Sequence, residues 1–182
     1  TVSFMRVGGV ARDMPAGWIE RVQRFLDDFP KRYAELDTLL TTNQVFVMRT
    51  RGIGVISGGQ ATALGLSGAS LRASGVRWDL RKSNPYLVYD RMNFEMCTAA
   101  EGDVYARYMV RMREMLESVK IVQQCIAEMP MDGAVNIDNP KIIYPAKEKV
   151  HQSMESLIHH FLLASEGLEA PAGEVYHSIE AP

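Results

Sequence analysis

Apolar positions along the chain recur mainly at helical intervals. Trp18, Val22, Phe25, Leu26 and Phe29 follow steps of 4, 3, 1 and 3, which is one face of a helix. Asp13 ahead of Pro15 has the order of an N-cap with proline just inside the start. Pro30 is expected to break or kink the run. Tyr33, Leu36, Leu39 and Leu40 then mark a second helix that ends near Thr42 and Asn43. The longest pattern follows Glu101-Gly102-Asp103. Tyr105, Tyr108, Met109, Met112, Met115, Leu116, Val119, Val122 and Ile126 share one face, and Pro130 ends the run. A helix over 103–129 at 1.5 Å per residue is a rod of roughly 40 Å. Its other face carries Arg107, Arg111, Glu114, Glu117, Lys120 and Glu128, which are expected to be solvated. A last helix is predicted over 146–165 from Val150, Met154, Leu157, Ile158, Phe161 and Leu162, with Gly167 at its C-terminal cap.

Between these runs the pattern fails. Gly52, Gly54, Gly58, Gly59, Gly65, Gly68 and Gly75 punctuate residues 52–86, and Pro85 closes them. Short turns are expected there, with one at Ser67–Gly75. Residues 131–144 read as a loop. Short strands are expected near 53–56, 93–97 and 173–181, the last from β-branched Val175 and Ile179. The sum is a mainly α chain with a few short strands, in one helical domain over 1–182. The 103–129 and 146–165 helices are expected to pack through their apolar stripes. The start at Thr1 without methionine and the end on Ile179-Glu180-Ala181-Pro182 suggest an internal fragment.

Composition narrows the function. The net charge is −2 and the pI about 6.1, so no basic field exists to hold nucleic acid or an anionic bilayer. No stretch approaches the roughly 18 apolar residues of a membrane span. Cys97 and Cys125 alone cannot build a four-cysteine metal site. His159 and His160 are adjacent, about 100° apart on a helix, and His151 is eight residues off, so they do not chelate one metal. No Gly-x-Ser-x-Gly elbow, phosphate loop or complete dinucleotide fingerprint occurs. Arg72, Arg77, Asp79, Arg81 and Lys82, with Trp78 and Tyr86 among them, form the densest charged stretch. Arginine–carboxylate pairing that pins a loop is the plain reading. A loop lining a ligand or subunit contact is the alternative.

Four ordered stretches carry a resemblance. They are Arg6-Val-Gly-Gly-Val10 with Asp13-Met-Pro15; Ser67 through Tyr86 with Tyr89-Asp90; and Gly102-Asp103-Val-Tyr105 with Arg107-Tyr108 and Arg111. The fourth runs from Met154-Glu-Ser-Leu-Ile-His-His-Phe161 through Glu166-Gly167 and Gly173-Glu174-Val-Tyr176 to Pro182. Together they resemble the D subunit of respiratory complex I, the proton-translocating NADH–quinone oxidoreductase.

The resemblance implies a helical core of a fold like the large subunit of nickel–iron hydrogenases, truncated at both ends relative to the family. It implies a place in the peripheral arm on the cytoplasmic side of the bacterial inner membrane. There the protein lies against a partner that carries the terminal iron–sulfur cluster, and the two form the quinone-reducing cavity. NADH is used by the whole complex, and quinone is its substrate. This stretch is expected to bind no cofactor or metal itself. The histidine and tyrosine that hold quinone in the family precede Thr1, so no catalytic residue is assigned here. Arg72, Asp79, Arg81 and Glu180 are candidates for organising the cavity or its loop. Arg72 and Arg81 would supply fixed positive charge, Asp79 would orient an arginine, and Glu180 would add to the acidic surroundings. A membrane-bound hydrogenase large subunit and an inactive assembly scaffold are the competing readings.

Overall fold

The computed structural model describes residues 4–179. They gather into two compact units. The larger holds residues 19–129 and the end of the described chain from 177. It contains most of α1 (Trp18–Leu40), with α2 (Gln44–Thr50), α3 (Gly58–Ala63), α4 (Gly68–Arg72), α5 (Leu80–Ser83) and α6 (Val104–Glu128). The smaller unit holds the chain up to 18 and residues 130–176. Its β1 (Met5–Arg6) and β2 (Gly9–Val10) pair antiparallel, and its helices are α7 (Lys147–Gln152) and α8 (Met154–Ser165). The mainly helical class is therefore as the periodicity indicates.

α6 is the spine of the larger unit and runs almost over its expected range. Asp103 caps it, accepting from the Ala106 amide, and its other oxygen accepts from the Gly52 amide at 2.7 Å. Burial pushes the Asp103 carboxyl up, but these amides, with Arg107 and Arg51 nearby, hold it below the usual carboxylate range. Gly102 precedes the cap at φ +66, and a Cβ there would meet the Ile56 carbonyl. Ala106 and Val110 pack against Ala69 and Ala73 of the α4 turn. Small side chains let these elements approach closely. A second cluster joins Ile121 to Met92 and Phe94.

Three expectations about helix boundaries need correction. Asp13 and Pro15 do not cap α1: the helix begins at Trp18, whose amide donates to the Pro15 carbonyl. Pro30 does not divide it. α1 runs from Trp18 to Leu40 through the proline, which removes one donor without stopping the flanking turns. Asp28 and Glu35 both pair with Arg32 across this segment at 3.2 Å. The 146–165 run, by contrast, is two helices. Ser153 adopts extended backbone and its hydroxyl accepts from the Ser156 amide, so it caps α8 and ends α7. Gly167 does end α8 as expected, at φ +80.

The strands expected near 53–56, 93–97 and 173–179 are absent among the described residues, and residues 180 and 181 lie outside them. Their backbone groups find other partners. The Ile56 amide donates to Gly102, and Ile53 accepts from Val104, so this segment clasps the start of α6. The Asn93 amide donates to the Gln124 side chain, and the Glu95 amide donates to the Glu117 carboxylate. Side chains of α6 thus replace a neighbouring strand. The expected pairing of the long helix with the last is not part of either unit's packing. α6 and α8 belong to different units, and α8 packs on α7.

Candidate functional site

The irregular stretch after α4 supplies the site. Ser67–Gly75 forms the expected turn, and α4 is buried along nearly its whole length. Arg72 ends it with only 3% exposure. A guanidinium at that depth is held only where acceptors meet it. Arg72 Nε donates to Glu114 Oε1 at 2.7 Å, and Nη1 donates to the Trp78 carbonyl at 3.2 Å. Asp79 Oδ2 lies 3.7 Å from the same Nη1.

Asp79 is more deeply buried still, at 1% exposure. Its Oδ1 accepts from the Arg81 amide and caps α5. Arg81 also donates from Nε to Oδ1 at 3.0 Å and from Nη2 to Oδ2 at 2.7 Å, a two-pronged pair. Burial raises the Asp79 carboxyl. The Arg81 hydrogen bonds and charge, with Arg72 behind them, outweigh burial and hold it below the usual carboxylate range. The same hydrogen bonds push the Arg81 guanidinium up. Arg81 lies over the Phe94 ring at 4.8 Å, and Lys82 over the same ring at 4.6 Å.

Arg72, Asp79 and Arg81 are therefore brought together. Glu180 lies outside the described residues. Two carboxylates were missed. Glu114 and Glu117 sit on the face of α6 expected to be solvated, yet Glu114 holds Arg72 and Glu117 is buried against the 95 amide. Burial raises Glu117, and the Glu95 amide with Lys120 overcomes it, so the net shift is downward. Arg107 of the same face donates to the Gly102 and Gly54 carbonyls. The available signal was that acidic residues recur on a face running past a glycine-rich segment, but nothing local distinguishes them from surface charges.

Beside this network lies a cleft of about 450 Å³. Tyr86, Tyr89, Arg111, Met115 and Ser118 line it together with Arg72, Arg81 and Glu114. The two tyrosine rings meet edge to face, 5.0 Å apart. Cys97 packs against the alanine cluster of the larger unit, and its thiol is pushed up by burial and then by Glu114 and Glu117. The histidines take separate partners: His159 lies 3.7 Å from Glu155, and His160 packs on the Tyr144 ring. Among the described residues, no group of three or more His, Cys, Asp or Glu is placed to hold a metal ion, and no helix is long and apolar enough to cross a membrane.

Known proteins match the chain end to end. The family described as respiratory-chain NADH dehydrogenase, 49 Kd subunit, matches residues 1–182. A protein from Sinorhizobium medicae, named as the second D subunit of an NADH-quinone oxidoreductase, is 50% identical over 181 residues. Its namesake from Rhizobium etli is 52% identical over 181 residues. The NADH-quinone oxidoreductase D subunit of Rickettsia typhi is 48% identical over 180 residues. These alignments cover 99% of this chain and 45–46% of the relatives, so the chain spans a little under half their length. With every residue inside the family match, the chain belongs to the 49 kDa subunit family of the respiratory-chain NADH dehydrogenase.

Proposed function

We propose that the chain is part of the core quinone-module subunit of a proton-translocating NADH–quinone oxidoreductase. The observation that carries this is the family match over residues 1–182, joined by about half identity to proteins named for that activity. In the reaction, NADH gives up two electrons and becomes NAD⁺ with release of a proton. An iron–sulfur cluster in a neighbouring subunit passes the electrons on, and quinone takes them up with two protons to become quinol. The protein is peripheral, on the cytoplasmic side of the membrane, and meets the membrane only through the assembly.

Within that assembly, the Arg72–Asp79–Arg81–Glu114 network holds a wall of the quinone cavity. Its geometry suits a fixed wall. Asp79 has both oxygens engaged by Arg81 and is held below the usual carboxylate range, so at neutral pH it remains an anion and does not give up a proton. Asp79 therefore acts as a fixed charge and not as a proton donor to quinone.

The test uses membranes in which the parent chain is intact or disrupted. Inhibitor-sensitive NADH–quinone reductase and hydrogen uptake are recorded in the same preparations. Selective loss of the quinone activity is expected. Selective loss of hydrogen uptake overturns the proposal in favour of a hydrogenase. For the wall, Arg81→Ala should lower quinone reduction more than NADH–ferricyanide activity or the amount of assembled complex. Loss of assembly in proportion would reduce Arg81 to pinning its loop.

A further inference from the structure

Two arginines compete for one oxygen of Asp79. Its Oδ2 lies 2.7 Å from Nη2 of Arg81 and 3.7 Å from Nη1 of Arg72. Only the first of these is a hydrogen bond. Arg72 is the more deeply buried, with side-chain exposure of 3% against 16%. A guanidinium at that depth is drawn to any carboxylate within reach. Glu114 keeps it off Asp79. This carboxylate comes from α6, 42 residues along the chain, and accepts from Arg72 Nε at 2.7 Å. Nη1 is turned at the same time to the Trp78 carbonyl, at 3.2 Å. Asp79 is thereby left to grip Arg81 with both oxygens, and Arg81 lines the cleft with Tyr86 and Tyr89.

We propose that Glu114 is a positioning residue for quinone reduction: by holding Arg72 it leaves Asp79 to Arg81, and so fixes the Arg81 guanidinium on the cavity wall. The inference rests on the proposed quinone function, since it needs Arg81 to face the substrate. Charge carries the effect. Glutamine at 114 keeps the shape and an acceptor for Nε but loses the charge. Arg72 then turns to the network's other carboxylate, Asp79, whose Oδ2 is already beside it. Arg81 gives up one of its two bonds and with it a fixed direction, because a two-pronged pair sets orientation where a single bond does not. Removing Arg72 together with the Glu114 charge ends the competition and returns Asp79 to Arg81. Loss of both members of a pair strands no charge, whereas loss of one does. The double variant is therefore the better enzyme.

The test uses membranes that carry the full parent chain, with wild type alongside. Glu114→Gln should raise the KM for quinone about tenfold, the usual effect of losing one charge-assisted hydrogen bond. The quinone kcat, the NADH–ferricyanide activity and the amount of assembled complex should change much less, as for a loss of binding rather than of chemistry. Glu114→Asp should retain a KM closer to wild type. Glu114→Gln combined with Arg72→Gln should bring the KM back toward wild type, below that of Glu114→Gln alone. A purely structural role gives the reverse order, since the double variant loses more of the buried contacts. A double variant no better than Glu114→Gln overturns the inference, as does an unchanged KM in Glu114→Gln or a loss of quinone activity in step with assembly. If Glu114→Gln does not assemble, the double variant should assemble with a quinone KM near wild type, and its failure to do so overturns the inference. In each of these cases inhibitor-sensitive quinone reduction by the wild type leaves the proposed function standing. If the wild type lacks that activity, the proposed function falls, and the positioning role with it.

Discussion

The stretch from Gly52 to Asp103 and the helices α1 and α8 make opposite use of their sequences. α1 and α8 have clear apolar stripes, yet only Leu26 of α1 is buried and no residue of α8 is. Phe161 remains 66% exposed and Leu39 64%. The glycine-punctuated stretch has almost no periodicity, yet it contributes Ala61, Ala69, Arg72, Ala73, Asp79 and Phe94 to the buried set. Amphipathic spacing says which face of a helix is apolar, but burial needs a surface to meet it. In the 52–103 stretch, glycines and alanines let backbone approach α6 so closely that hydrogen bonds and ion pairs, rather than large side chains, fill the contact.

The contrast can be broken by substitution. The largest effect is expected from Gly102→Ala. The added methyl meets the Ile56 carbonyl and the backbone stays in the left-handed region. A loss of about 3 kcal/mol or more is expected, and denaturant unfolding would read it. A loss under about 1 kcal/mol would mean that the clasp between 53–56 and α6 is loose.

Arg72→Ala comes close behind. It strands Glu114 and leaves Asp79 with Arg81 alone, at a cost of about 3 kcal/mol, the low end for breaking a buried pair because Glu114 keeps some contact with water. Arg72→Met at similar volume still removes the charge and should recover little, because the carboxylates remain.

Acid comes third. Asp79, Asp103 and Glu117 are all held below their ordinary values in the folded chain. Their stabilisation is fully present above the unfolded-state values, roughly pH 4, and is lost as pH falls through the lower folded values. Unfolding midpoints should therefore drop steeply below about pH 4. Asp79→Asn should flatten that part of the curve while lowering stability at neutral pH.

Phe161→Ala should shift the midpoint least, by under about 0.5 kcal/mol, since the ring is mostly in water already. A loss of about 2 kcal/mol there would erase the difference between the two regions.

Local signals explain what could be read in advance. α6 was legible because nine apolar residues share one face and Asp103 and Pro130 bracket it. The Ser67–Gly75 turn and the Gly167 cap were legible from glycine. The break at Ser153 was not, because the apolar stripe runs through it unbroken and a serine inside a helical pattern marks a cap only if the backbone turns there. Pro30 misled in the other direction, since one missing donor does not end a helix whose flanking turns are both formed. Asp79 and Arg81 are two residues apart, and their pairing was open to sequence argument. Glu114 is 42 residues from Arg72 and gave no local sign of it.

By itself, then, the sequence determined the helical class, the extent of the long helix, the glycine turn at Ser67–Gly75 and the family to which the stretches belong. Those depend on short-range spacing and backbone sterics. Tertiary structure alone decided which charges are buried, which expected strands give way to side-chain partners and where a continuous stripe divides. Each of those turns on a donor or acceptor that the local pattern does not reveal, and a group's burial and pairing are properties of what the fold brings against it.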